Sequence, residues 1–135
     1  DGESLLNAVM KPTRIYVKSV LTAMKTGLIT GATHITGGGF QENLPRSYSD
    51  GLAAEINLSS WVRPDIFHWL DSVGNLGGNE MLRTFNCGIG FTLFCDESHA
   101  STVMEILQAE GESPKIIGRF IQRKTKSVVF KGSFN

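Results

Sequence analysis

The sequence predicts an α/β (α+β) domain: a mixed β-sheet of about five strands covered by helices. Three observations carry that expectation. Strand-like and helix-like patterns alternate through most of the length, which requires helices layered on a sheet. Leu52, Ala54, Ile56 and Leu58 alternate with small or polar residues, the period of two that marks a half-buried strand. The run Cys87 to Cys95 is apolar on both faces, as a central strand covered from both sides would be. A chain of 135 residues with 41% hydrophobic content can bury a real core, so residues 1–135 are read as a single domain.

In order, Ser4 to Met10 is a short apolar helical stretch ended by Pro12. Thr13 is the expected N-cap of a helix from Arg14 to Thr26, with Tyr16, Val17, Val20, Leu21 and Met24 at helical spacing as its core face and Gly27 as its stop. Leu28 to Ile35 is a strand weakened by Gly31. Phe40 to Leu44 is a short helical turn, and Pro45 with the following SYSDG is a loop before the strand Leu52 to Leu58. Pro64 suits the first position of a helix whose Ile66, Phe67, Leu70 and Val73 share one side and whose stop is Gly74. Trp61 and Trp69 could stack on a ligand ring, but the area an aromatic ring buries favours core filling, and His68 is expected at the surface. Asn75 to Asn79 is a turn before one or two helical turns over Glu80 to Asn86. In the strand Cys87 to Cys95, Gly88 and Gly90 share a face, so something is expected to lie close against it. Asp96 caps a helix from Glu97 to Glu110 that Gly111 ends. Lys115 to Gln122 and Ser127 to Lys131 are the last two strands, joined by RKTK as an antiparallel hairpin, and Gly132 to Asn135 is a frayed end.

Thirteen Lys and Arg balance thirteen Asp and Glu, so no basic excess points to nucleic acid or an acidic membrane face. No apolar run reaches the length of a membrane span and the first ten residues lack a leader pattern, so a cytoplasmic protein is expected. Cys87 and Cys95 at opposite ends of one strand would stand roughly 26 Å apart at about 3.3 Å per residue, beyond the reach of a disulfide. Neither has the spacing of a zinc site, and both are read as buried hydrophobes.

Ala32 to Arg46, ATHITGGGFQENLPR, is the stretch with chemical content. Gly37, Gly38 and Gly39 permit positive φ and close approach, and the helical turn after them would aim free backbone N–H groups at the glycines. That corner suits a phosphate or is simply a tight turn. It is neither a P-loop nor GxGxxG, because no Lys-Ser/Thr pair follows and the glycines are contiguous. His34 and Thr36 add a titratable imidazole and a hydroxyl beside it.

Three blocks, PTRIYV (Pro12 to Val17), HITGGGFQENLPR (His34 to Arg46) and MLRTFNCGIG (Met81 to Gly90), with a closing IIG at Ile116 to Gly118, stand in one order. Together they resemble the C-terminal domain of the phosphoribosylformylglycinamidine cyclo-ligases, or aminoimidazole ribonucleotide (AIR) synthetases. The FNCGIG form would suit the trifunctional purine-synthesis proteins of eukaryotes. The resemblance implies an enzyme of purine synthesis that uses ATP and magnesium to close formylglycinamidine ribonucleotide into AIR. ATP would phosphorylate the formamide oxygen so that phosphate, a better leaving group, departs when the ribosyl-bearing nitrogen attacks the formyl carbon.

The resemblance also implies that His34 is catalytic and that Thr36, Gly37, Gly38, Gly39, Asn43, Arg83 and Asn86 bind substrate or phosphate, with no metal ligand in this chain. ATP and Mg2+ would be held by an N-terminal domain that also builds a homodimer. That domain and the first strand of the C-terminal domain are expected to lie outside this sequence, leaving the isolated chain inactive. Arg83 could pair with a phosphate bidentately, although a helix-surface arginine is usually a solvated charge. Two other readings compatible with the fold are a non-catalytic binding module and another ATP-using member of the same superfamily, which includes selenophosphate synthetase and thiamine-monophosphate kinase.

Overall fold

The computed structural model describes residues 4–134. Its helices are α1 (Leu5–Val9), α2 (Val17–Met24), α3 (Gly39–Asn43), α4 (Asp65–Gly74), α5 (Gly77–Thr84) and α6 (Ala100–Ala109). Its strands are β1 (Ile29–His34), β2 (Leu52–Asn57), β3 (Phe91–Cys95), β4 (Gly118–Gln122) and β5 (Val128–Lys131). The five strands divide between two sheets: β1 pairs antiparallel with β3, and β2 lies between antiparallel β4 and parallel β5. Parallel and antiparallel pairing coexist, and α3 and α5 share a core with the three-stranded sheet, as a mixed α/β domain requires.

The core gathers where α3 and α5 meet the three-stranded sheet. Phe40, Ile35, Leu44, Met81 and Cys87 are fully buried there, with Ala54, Ile56 and Val128 contributed by the sheet. Trp61 fills core, its ring 6.0 Å from that of Phe40, and its Nε1–H donates to the Cys87 carbonyl at 3.0 Å. That bond satisfies the one polar atom of the indole, which a buried tryptophan needs. The two sheets are tied together by aromatic rings from three elements: Tyr48, after the 3-10 turn Leu44–Ser47, lies 4.8 Å from Phe120 of β4, and Phe94 of β3 lies 4.9 Å from the same ring. The Tyr48 hydroxyl donates to the Ser127 carbonyl, so the segment read as a loop is a bridge.

Several expectations need correction. The last two strands do not form a hairpin. β4 runs down one side of β2, residues 123–127 cross beneath the start of β2, and β5 returns along its other side. The crossing is fixed by Arg123 N–H on the Gly51 carbonyl (2.9 Å) and Ala54 N–H on the Ser127 carbonyl (2.9 Å). The strand expected from Cys87 begins only at Phe91, because Cys87 (φ 49°) and Gly88 (φ 104°) form a left-handed turn. Cys87 and Cys95 remain free thiols, the first buried and the second partly so.

The helix expected from Arg14 begins at Val17, and Thr13 does not cap it. Arg14 is instead held outside the helix: its Nη2 donates to the Gly111 carbonyl at 3.1 Å and its Nε meets Glu112 at 3.0 Å. The buried residues of α2 are Ser19 and Ala23, and the stripe expected to be core is largely outside, with Val17, Leu21 and Met24 at least half exposed. The end of the chain is not frayed as far as Phe134, whose ring packs 5.5 Å from Trp61 and receives the Arg63 guanidinium at 4.9 Å; Asn135 lies outside the described residues. Among the described residues no helix is long and apolar enough to cross a membrane.

Candidate functional site

β1 ends at His34, paired in register with Phe91 at the start of β3, and the ladder closes with Ile35 N–H on the Gly90 carbonyl at 2.8 Å. Beyond that closure the chain turns through Thr36 and the three glycines into α3. The exposed side of the junction opens into a cleft of about 690 Å³, a volume typical of small-molecule sites. One wall is His34, Ile35, Thr36 and Gly37; Thr84, Phe85, Asn86 and Gly90 stand beside it. Ile66, Phe67 and Leu70 of α4 supply an apolar surface, and residues 11–14 with Tyr16 form the rim.

Of the residues singled out from sequence, His34, Thr36, Gly37 and Asn86 therefore share this cleft. The Asn86 Oδ1 accepts from Gly88 N–H at 3.0 Å, which fixes the turn leading to β3 and leaves its amide NH2 as the donor end. Gly38, Gly39 and Asn43 do not line the cleft; they shape the loop. Gly38 (φ 92°) and Gly39 (φ 56°) both occupy the left-handed region. Gly39 is buried so closely against α5 that a Cβ there would run into the Leu82 carbonyl oxygen. Asn43 is buried, and its Nδ2 donates to the carbonyls of Gly39 (2.8 Å), Gly37 (3.2 Å) and Thr36 (3.3 Å).

The expected nest of free N–H groups is correspondingly reduced. Gly39 N–H is engaged by the Thr36 carbonyl at 3.0 Å, and the Glu42 side chain folds against Gly38, placing a carboxylate where a second anion would be repelled. Arg83 stands on the exposed surface of α5, its Nη1 3.8 Å from Glu80, and does not reach the cleft.

Residues that the sequence did not single out complete the site. Tyr16, read as a helix-stripe residue, lies just ahead of α2, with its ring 5.8 Å from the His34 imidazole and 5.4 Å from Phe91. Burial pushes its phenol above the ordinary value, so it is a neutral hydroxyl at physiological pH. Lys11 and Arg14 place positive charge on the rim, and Arg14 is anchored by Glu112, which also accepts from the Ser19 hydroxyl at 2.8 Å. The signal for these was Pro12: a proline followed by a polar pair reads as readily as an extended entry as it does a helix cap.

Among the described residues no Asp or Glu side chain lines the cleft, and no three His, Cys, Asp or Glu side chains converge on a common point. Its donors are a hydroxyl, an imidazole, a side-chain amide, backbone groups and two cations, a set that fits a polar, anionic small molecule and does not fit Mg2+, which takes carboxylate and water oxygens. A family model described as AIR synthase related protein, C-terminal domain, matches residues 1–131. The match spans all but the last four positions, and the chain accordingly belongs to the AIR synthase related family, as its C-terminal domain.

Proposed function

We propose that this chain is the substrate-side domain of an AIR synthetase, and that the cleft beside His34 receives formylglycinamidine ribonucleotide. The observation that carries this reading is the convergence of His34, Thr36, Gly37 and Asn86 from two of the family-like sequence blocks onto one cleft. Tyr16 and Arg14 from the third block stand at its rim. Arg14, held at the rim by Glu112, presents a guanidinium that a ribose phosphate can approach, and the apolar surface of Ile66, Phe67 and Leu70 suits the less polar face of the sugar.

In this reading the residues of the chain orient and stabilise. Thr36 and Asn86 hold polar groups of the substrate by hydrogen bonds, and the absence of a side chain at Gly37 leaves its backbone accessible to the bound molecule. His34 presents its ring nitrogens to the reacting amide, where it can donate to an oxygen on which negative charge grows or take a proton from the attacking nitrogen. A His34→Asn variant separates the two roles, because an amide donates but does not titrate near neutral pH. Partial rescue relative to His34→Ala is expected, since charge stabilisation dominates chemistry of this class. None of the described residues lining the cleft carries a carboxylate, and in this reading ATP and Mg2+ are held by the N-terminal domain that the complete homodimeric enzyme would carry.

The test is a coupled assay for ADP release and AIR formation from formylglycinamidine ribonucleotide and ATP. It compares the complete enzyme with the 135-residue chain. Turnover by the complete enzyme and none by the chain alone is expected. Turnover by the purified chain, or a complete protein inert toward this substrate, would contradict the proposal.

A further inference from the structure

The His34 imidazole makes no hydrogen bond to the protein among the described residues; its neighbours are two aromatic rings. Phe91, directly across the β1–β3 ladder, lies nearly parallel to it at 5.7 Å between ring centroids with 26° between planes. Tyr16 meets it edge-on at 5.8 Å and 69°, and the Tyr16 and Phe91 rings themselves stand 5.4 Å apart. Each ring thus touches the other two. Histidines that work in chemistry are usually oriented by a carboxylate or carbonyl on the far ring nitrogen. Here stacking orients the ring, leaving both nitrogens for a ligand.

From this geometry we infer that Tyr16 and Phe91 are positioning residues for His34, and that Gly90 is the residue that admits Tyr16. The inference rests on the reading of the cleft given above. A Cβ at Gly90 would strike the Tyr16 hydroxyl, and the backbone at that position lies outside the left-handed region, so conformational freedom is not what requires a glycine there. Space for the phenol is. The contact explains why a residue from before α2 can reach a strand junction some seventy positions later. It also assigns the close approach expected over Gly90 to a side chain of the chain itself.

Gly90→Ala is therefore a way to move Tyr16 without changing its chemistry, because the phenol is the free end of a side chain and can swing aside while the strand keeps its path. The experiment uses the complete enzyme labelled at the histidine ring carbons. The His34 resonance is assigned by its loss in His34→Ala, and steady-state kinetics and thermal melts are run beside the spectra. Gly90→Ala and Tyr16→Leu are expected to move the His34 resonance and to lower kcat about ten- to a hundredfold with KM changed much less, the signature of a misplaced reacting group. Tyr16→Phe keeps the ring and is expected to restore the resonance and most of kcat.

Should Tyr16→Leu fail to fold, Gly90→Ala and Tyr16→Phe still carry the comparison. If His34→Ala is slow while Gly90→Ala leaves kcat at the wild-type level, the positioning role is overturned and the cleft assignment stands. If His34→Ala itself turns over like the wild type, the assignment of the site fails and the inference fails with it.

Discussion

At the scale of single residues the three contiguous glycines have three different reasons to be glycine. Gly37 is on the cleft and nothing lies within 4 Å of where its Cβ would be, so Gly37→Ala is expected to melt like the wild type while KM rises. Gly38→Ala must hold φ near 92° and displace the Glu42 side chain, a strain of about 1–3 kcal/mol. Gly39→Ala adds collision with the Leu82 carbonyl to a left-handed φ and should cost roughly 3–5 kcal/mol, enough to threaten the fold. Melting curves and kinetics on the three variants check that order, and equal Tm losses would contradict it.

Cys87 carries a pH signature. Burial pushes its thiol from 9.0 to about 11, so the folded state favours the protonated form. That contribution is whole below about pH 9 and vanishes as pH rises through about 11, a loss on the order of 2–3 kcal/mol. The half-buried phenols of Tyr16 and Tyr48 are raised too, by partial burial, and act in the same direction at higher pH. Urea unfolding at pH 8 and pH 10.5 should show the fall, and Cys87→Ala should be less stable at pH 8 but flatter with pH. An unchanged slope in that variant would remove Cys87 as the cause.

Among elements, the strands and helices were legible where the apolar residues of the sequence recur with a clear period. β2 shows it in Leu52, Ala54 and Ile56, although its neighbours Ala53 and Ala54 are both buried, and α6 shows it in an apolar stripe that follows a 3-10 turn (Glu97–His99) capped by Asp96, which accepts from Ser98 N–H at 2.9 Å. What the pattern concealed was pairing. RKTK between two strands is compatible with a hairpin or a crossing under β2, and only the aromatic bridge through Tyr48 and the bonds to Gly51 and Ala54 decide between them. The apolar run at Cys87 misled for a related reason. Its hydrophobicity serves a turn packed under Trp61, and burial of a turn has the same composition as burial of a strand. In the site, the His34 and Thr36 placements followed from the strand ending at the glycines, whereas Tyr16 could not be found from spacing because its helix starts later than its apolar pattern.

The segment carrying Tyr16 is tied to the end of α6 by Arg14 on the Gly111 carbonyl, by Lys18 on Glu110 and by Glu112. Glu112 takes both Arg14 Nε and the Ser19 hydroxyl, so Glu112→Ala should free the rim of the cleft at a modest cost of about 1 kcal/mol, given how exposed Arg14 is. Amide hydrogen exchange is expected to rise in residues 13–20 and to stay unchanged in β2. A uniform rise across the molecule would show that Glu112 supports the whole fold instead.

For the whole molecule, the outward stripe of α2 matters most. Val17 is 63%, Leu21 51% and Met24 50% exposed, with Ile15, Leu6 and Met10 also largely outside. Apolar surface of that kind on a small domain drives association, so the isolated chain is expected to self-associate as concentration rises. A Val17→Lys, Leu21→Lys double variant should scatter less light than the wild type, and a monomeric wild type at high concentration would contradict the expectation.

The proposed function puts the reaction of an AIR synthetase substrate in the cleft beside His34. Steady-state kinetics of His34→Ala in the complete enzyme test it most directly, because the imidazole is exposed, makes no hydrogen bond to the protein among the described residues and can be removed with little effect on Tm. A fall in kcat of about a hundredfold or more is expected for loss of a group that acts on the reacting atoms, with the melting temperature nearly unchanged. Wild-type kcat and KM in that variant would contradict it.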